Sequence, residues 1–423
     1  MKNKLWFIVP SAVVAVGLLF VAYKYVNPAP PNRMVITTGD GEGDYLSFAK
    51  QYKEIIKQDG VELEIRSSSG AMENYNRLKD PKSDVDAGFV QDGLGSTEDA
   101  PDLSSLGSLY YEPIWIFYRA ASEKGELTRF PHLIGKKVNI GSEGGGTRGL
   151  ILRILKSSGV TEKNTKLEGL AWQEGAAALQ RGDIDAAVFL ATPEEPLIKT
   201  LLEDKKLRLM NMDQAEAITK QIPFLHHLVL PHGTIDLEHN LPPNDVNMVS
   251  PTATLLVRDS LHPALAYLLL KAASQVHSDP GIFERKNEFP TDKDYQFPLS
   301  DEARSYYKSG APFWQRYLPF WLANLVERFI VIVIPALALA LPIIRLFPRL
   351  RQWRIRSKIY RRYGELKFLE TQLQLDTGHE KSKKYNNELD AIEERVNRMK
   401  VPIEFTEHLY GLRGHIDFVR GKL

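Results

Sequence analysis

Three short segments hold the residue types best suited to gripping a small molecule. They are Thr37-Thr38-Gly39-Asp40-Gly41-Glu42-Gly43-Asp44-Tyr45, Ser67-Ser68-Ser69-Gly70-Ala71-Met72-Glu73-Asn74 and Ile140-Gly141-Ser142-Glu143-Gly144-Gly145-Gly146-Thr147-Arg148. Each joins a β-rich run to an amphipathic one, so each reads as a strand-to-helix loop. Glycine permits tight or left-handed backbone, and the free N–H groups of a first helical turn, aided by the helix dipole, attract an anion. None of the three matches G-x-x-x-x-G-K-[ST], and Gly39-x-Gly41-x-Gly43 departs from the dinucleotide spacing G-x-G-x-x-G, which disfavours nucleotides. Few cations lie near these loops, so a carboxylate fits better than a phosphate. Arg148 reads as a bidentate clamp or as half of a surface salt bridge. Taken singly, each loop also reads as an ordinary turn in which Ser69 or Ser142 caps a helix.

Other constellations carry less chemistry. His226-His227 and His232 lie near Asp236, but no helical i, i+4 histidine pair supports a metal, and a loop with surface histidines is expected. No G-x-S-x-G elbow presents a nucleophile. Glu194-Glu195, after Thr192-Pro193, reads as a helix cap. The chain has no cysteine, which excludes disulfides, thiolate-held zinc, iron–sulfur clusters and a thiol nucleophile.

The loops need a frame, and the hydrophobic periodicity supplies one. Strands are expected at Met34–Thr38, Val61–Ser67, Asp86–Val90, Pro113–Arg119, Lys137–Ile140, Asp185–Leu190, Leu207–Asn211 and Ala253–Arg258. Between them lie helical stretches such as Asp44–Lys57, Met72–Leu78, Thr147–Ser158 and Gly175–Arg181. Alternating β and α signals imply an α/β protein with largely parallel sheets, its ligand beyond the carboxyl ends of the strands.

Two apolar runs bracket that region. Residues 5–23 are uncharged and follow Lys2 and Lys4; they read as an anchor over 5–26, or as a cleaved signal peptide. A Pro-rich linker occupies 27–33. The second run, Phe329 to Ile344, reads as a transmembrane helix over 329–347, with Trp314, Tyr317, Phe320 and Trp321 as an interfacial belt in 311–328. The 423 residues hold 54 Lys/Arg against 53 Asp/Glu, but from Arg345 onward the count is 18 against 11. Nine basic residues crowd 345–367, which marks a cytoplasmic side and disfavours nucleic-acid binding. A two-pass protein of the inner (plasma) membrane is expected, with 1–4 and 348–423 cytoplasmic and the large domain periplasmic.

Together these blocks resemble the TAXI-type solute-binding subunits of TRAP transporters, a branch of the type II periplasmic-binding-protein fold. The resemblance rests on Ile36-Thr37-Thr38-Gly39, Ser69 to Asn74, Asp86-Ala87-Gly88-Phe89-Val90-Gln91, Gly141 to Arg148, Gly182-Asp183-Ile184-Asp185-Ala186-Ala187 and Pro251-Thr252-Ala253-Thr254. Tyr307 to Phe313 and Arg316 to Trp321 are similar to a membrane-anchored subgroup. It implies two lobes about a hinge cleft, lobe one from 34–112 and 225–310 and lobe two from 113–224. It also implies a receptor without catalysis or cofactor that passes a small carboxylate-bearing solute to a TRAP permease. Carried over by position, Thr38, Gly39, Tyr45, Ser69, Gly70 and Gln91 border the cleft from lobe one, and Ser142, Gly146, Thr147 and Arg148 from lobe two. One departure is the acidic first loop: Asp40 and Asp44 either bind a ligand amine or a cation or face water, and Glu42 faces water. Hinges are expected near Tyr110–Ile116 and Phe224–Pro231.

The tail over 357–398 is helix-prone, is interrupted at Thr377-Gly378-His379, and reads as a helical hairpin. That tail keeps open a second function, a transmembrane ligand sensor signalling to the cytoplasm.

Overall fold

The computed structural model describes residues 29–39, 43–120, 125–143, 145–293, 296–375 and 382–422. They divide into two compact units between Glu327 and Arg328.

The larger unit is built on two five-stranded sheets. The chain begins with β1 (Arg33–Thr37), α1 (Asp44–Lys57), β2 (Glu62–Arg66), α2 (Ala71–Lys79), β3 (Ala87–Gln91) and β4 (Leu103–Tyr111). It then enters the second sheet with β5 (Ile114–Arg119), β6 (Lys137–Asn139), α3 (Gly146–Ser157), β7 (Lys166–Glu168), α4 (Trp172–Arg181), β8 (Ala186–Leu190), α5 (Pro196–Glu203), β9 (Leu207–Leu209) and α6 (Ala215–Gln221). A ribbon follows, β10 (His226–Leu230) against β11 (Val246–Ser250), before β12 (Thr252–Arg258), α7 (Pro263–His277) and α8 (Asp301–Ser309) return to the first sheet. The strand orders are β2-β1-β3-β12-β4 and β7-β6-β8-β5-β9. β1, β2 and β3 are parallel, as are β6, β7 and β8, whereas β12 and β5 run antiparallel within their sheets. Two α/β lobes joined by two crossing segments make the periplasmic-binding-like fold that the resemblance implies.

Simple periodicities produce these elements. Helix α1 buries Tyr45, Ala49, Tyr52 and Ile56, one face at helical spacing. Strand β5 alternates, sending Ile114, Ile116 and Tyr118 into one core and Trp115 and Phe117 into the other. Strands β3 and β8 are buried at every position, as a sheet covered on both faces requires.

All the expected strands form, but four others escaped the periodicity. Strand β4, Leu-Ser-Ser-Leu-Gly-Ser-Leu-Tyr-Tyr, lacks β-branched residues; its fully buried Ser105 and Ser108 are satisfied by hydrogen bonds to the segment around Thr291 and Pro298. The chain crosses from the first sheet to the second at Glu112-Pro113, within the segment where a hinge was expected. The return crossing lies at Ser250-Pro251-Thr252, later than the expected Phe224–Pro231. Phe224, Leu225 and Val249 belong to one core of the second sheet, and Leu230, Val246 and Met248 to the other, so the β10–β11 ribbon is part of lobe two. The two crossings are tied together by the Glu112 N–H donating to the Pro251 carbonyl at 3.1 Å. His226 and His227, expected in a loop, lie on β10.

Helix α9 (Phe320–Leu375) leads into the smaller unit, followed by α10 (Ser382–Asn397) and α11 (Thr406–Arg420). The expected hairpin is part of a three-helix core of Ile359, Leu366 and Leu369 against Leu389, Ile392 and Val396 and against Leu409, Leu412 and Ile416. The third helix was not anticipated. Ion pairs Arg395–Glu365 (3.5 Å) and Lys422–Glu370 (2.9 Å) join its members. The expected break at Thr377-Gly378-His379 and the apolar run 5–26 lie outside the described residues. Residues 329–347 lie within α9; among the described residues no helix is long and apolar enough to cross a membrane.

Phe117 is buried on β5 between β8 and β9, so Phe117→Ala is expected to cost about 3–5 kcal/mol, read from the chemical-denaturation midpoint.

Candidate functional site

Four helices start at a single cleft of about 150 Å³ between the lobes. Helix α1 begins after Gly43 and α2 after Gly70, both in lobe one; α3 begins after Gly145 and α4 after Ala171, both in lobe two. No side chain caps any of the four. Their first residues line the cleft, so unspent amide donors and the positive ends of four helix dipoles converge there. The expectation that Ser69 or Ser142 caps a helix fails for a local reason. The Ser69 amide and hydroxyl both donate to Glu73 Oε2 at 2.7 Å, and the Ser142 carbonyl accepts the Gly145 N–H in a turn.

Buried Asn74 holds the first two loops in place. Its Oδ1 accepts from Thr37 Oγ1 and Ser68 Oγ, both at 2.6 Å, and its Nδ2 donates to the Phe89 carbonyl at 2.9 Å. Gly70, at φ +127°, makes the turn into α2 in a conformation that disfavours any side chain.

Of the expected site residues, Gly39, Tyr45, Ser69, Gly70 and Gln91 line the cleft from lobe one, and Ser142, Gly146 and Thr147 from lobe two. Thr38 and Arg148 do not. Thr38 is fully buried, its hydroxyl turned to the Gly39 and Arg66 carbonyls at 3.2 and 3.4 Å. Arg148 lies along lobe two, where Nη1 donates to the Glu168 carbonyl at 3.3 Å and Nη2 pairs with Glu162 at 3.8 Å. One residue past Thr147 the helix has turned about 100°, away from the cleft and toward β7. The bidentate clamp is therefore withdrawn, and no Lys or Arg lines the cleft among the described residues.

Sequence reasoning missed Glu112, Trp172, Gln173 and Leu190, which also line it. Glu112 belongs to the outgoing hinge and is only 4% exposed. Burial, and then the charge of Asp44, push its carboxyl up to about 8, so it is neutral at pH 7. Tyr45 Oη donates to Glu112 Oε2 at 3.3 Å, and Gln91 bonds the same carboxyl. Gln91, 6% exposed, keeps its Oε1 without a partner. Asp44 spans the lobes: its carboxylate accepts from Thr192 N at 3.0 Å and Thr192 Oγ1 at 3.2 Å.

The lobes meet closely. A Cβ on Gly146 would stand 2.3 Å from Gln91 Oε1 and 2.8 Å from Ala71 Cβ. Only glycine lets α3 approach lobe one this far, so the lobes are in contact across the cleft. The histidines around β10 pair with single carboxylates, His227 with Glu216 and His232 with Asp245. Among the described residues no group of three or more metal-ligating side chains assembles.

Three outcomes follow from this geometry. Gly146→Ala is expected to wedge the cleft and weaken ligand binding about tenfold or more by calorimetry. Arg148→Ala is expected to leave affinity unchanged. Glu112→Gln is expected to stabilise the fold, because a carboxyl whose folded pKa lies above its unfolded value costs stability as pH rises. The gain in Tm should grow from about pH 4.5 to about pH 8 and level off above.

No curated protein matches the chain. Among solved structures it is similar to a protein from Bordetella bronchiseptica RB50, at 16% identity over 59% of this chain and 72% of that one, with a TM-score of 0.41. It is similar to the periplasmic aliphatic sulphonate binding protein of Escherichia coli, at 16% identity over 71% and 79%, with a TM-score of 0.38. The alkanesulfonate-binding protein of Xanthomonas axonopodis pv. citri, bound to MOPS, matches at 17% identity over 67% and 96%, with a TM-score of 0.38. Likenesses this distant say nothing of the ligand. The profile of the NMT1-like family, by contrast, matches residues 36–308, well over half of the sequence. The chain belongs to the NMT1-like family.

Proposed function

We propose that the protein is a membrane-tethered extracytoplasmic receptor that closes its lobes on a small carboxylate-bearing solute and delivers it to a TRAP-type permease. The observation that carries this reading is the meeting of four uncapped helix N-termini, two from each lobe, in one cleft. Amides and neutral donors can hold a carboxylate without a salt bridge. Ser142 and Thr147 supply hydroxyls, and protonated Glu112 adds a donor without repelling an anion. A ligand touching both lobes lowers the energy of the closed form alone, so binding shifts the population toward closure. The Asp44–Thr192 contact adds to that bias whether or not ligand is present. Tethering rests on the apolar runs 5–26 and 329–347 and on the basic residues after Arg345; delivery to a permease rests on the family resemblance.

The smaller unit favours one second reading. A folded three-helix core exceeds what an anchor requires, and a transmembrane sensor would use it as its output. Deleting residues 349–423 separates the two: retained uptake supports delivery, and normal ligand binding with lost signalling supports sensing.

A thermal-shift screen of the full-length protein in detergent, against small carboxylates, sugars and polyols, is expected to give stabilisation by carboxylates alone. Stabilisation by neutral sugars only would sink the anion reading. Because the chain has no cysteine, single introduced thiols report topology cleanly. Lys205→Cys should react with an impermeant maleimide in whole cells with a permeabilised outer layer, and Glu404→Cys should not.

A further inference from the structure

Beside the ligand cleft lies a larger groove of about 860 Å³, and the two share Gly43, Asp44 and Gln173 as a common wall. Its chemistry is the opposite of the cleft's. Asp44, Glu194, Glu195, Asp279 and Glu284 line the groove, and no Lys or Arg does so among the described residues. Glu194 and Glu195, expected from the sequence to cap a helix, stand before α5 without capping it. The acids come from both lobes, Asp44 and Asp279 from lobe one and Glu194 and Glu195 from lobe two, while Glu284 follows Ile282 and Phe283, which pack against a core of the second sheet.

A second observation is independent of the acids. Tyr110 lines the groove, is only 4% exposed, and its hydroxyl finds no hydrogen-bond partner. A buried hydroxyl left unpaired costs free energy that a polar ligand group would recover. Between the polar groups run Phe48, Leu197 and Val276, an apolar wall suited to methylenes. Burial first, and then the charge of Glu194, raise the Glu284 carboxyl, so like charges stand close together in the groove.

We propose that this groove takes the positively charged end of the same solute, whose carboxylate sits at the helix tips of the adjoining cleft. The ligand class is then a small acid with a remote primary amine on a short aliphatic chain. This inference rests on the anion reading of the cleft and adds to it: the amine offsets acids of both lobes at once, so it also draws the lobes together. It gives a use to the acidic first loop, whose Asp44 stands where the two cavities meet.

Matched pairs test it. Calorimetry on the full-length protein in detergent would compare hexanoate with 6-aminohexanoate and norleucine with lysine, at low and high salt. The amine-bearing member is expected to bind about tenfold tighter at low salt, with the advantage shrinking as salt rises. In the Glu194→Gln/Glu284→Gln double variant, checked for an unchanged circular-dichroism spectrum, the ratio within each pair should fall to near one. If the plain acids bind and their amine partners bind no tighter, the groove proposal is overturned while the anion reading stands. If no acid of the set binds, both are overturned. The wild-type ratio decides the matter even if the double variant fails to fold.

Discussion

Backbone donors left unspent at four helix starts are the feature on which the rest of this protein turns. Each of these helices begins at a residue whose side chain offers it no cap, and three of the four begin at glycine. Ordinary helix starts are satisfied locally, because an orphan N–H costs free energy. Gathering four such starts in one cleft leaves their first amides free to take acceptors from water or from a bound anion. The glycines at three of the four tips let the lobes approach closely there.

The electrostatics of the unit divide at Asp44. On one side the helix tips and a protonated Glu112 make a region that accepts negative charge without any cationic side chain among the described residues. On the other, carboxylates from both lobes line an open groove. Glu112 is neutral because burial and the neighbouring Asp44 make a second charge expensive there. Burial raises the Asp44 carboxyl too, but there the two Thr192 donors from the other lobe work against the rise.

Much of the frame was legible before any coordinates. Val, Ile and Phe alternate or cluster strongly enough in β1, β2, β3, β5 and β8 to mark strands, and α1 shows a clean helical face. Strand β4 was not legible, since serine, glycine and leucine carry no β signature. It forms because β12 lies beside it and loop carbonyls satisfy its serines. Arg148 shows the same limit from the other direction. Its type and place in a glycine loop suited a clamp, yet one further residue of helical rotation sends it to Glu168 and Glu162.

By itself the sequence determined the kind of chemistry: glycine and hydroxyl loops at helix starts, in an α/β alternation, beside apolar runs at either end. These are local properties, set by backbone conformation and periodicity within a dozen or so residues. Tertiary structure alone decided which side chains from outside those loops join them at the cleft and the groove beside it. Asp44, Glu112, Gln173, Thr192 and Glu284, which line the cleft or the groove beside it, lie far apart along the chain, and only Asp44 belongs to one of the three loops, so no spacing rule joins them. They meet because two crossing segments fold one lobe over the other, and their charges acquire meaning only at that distance.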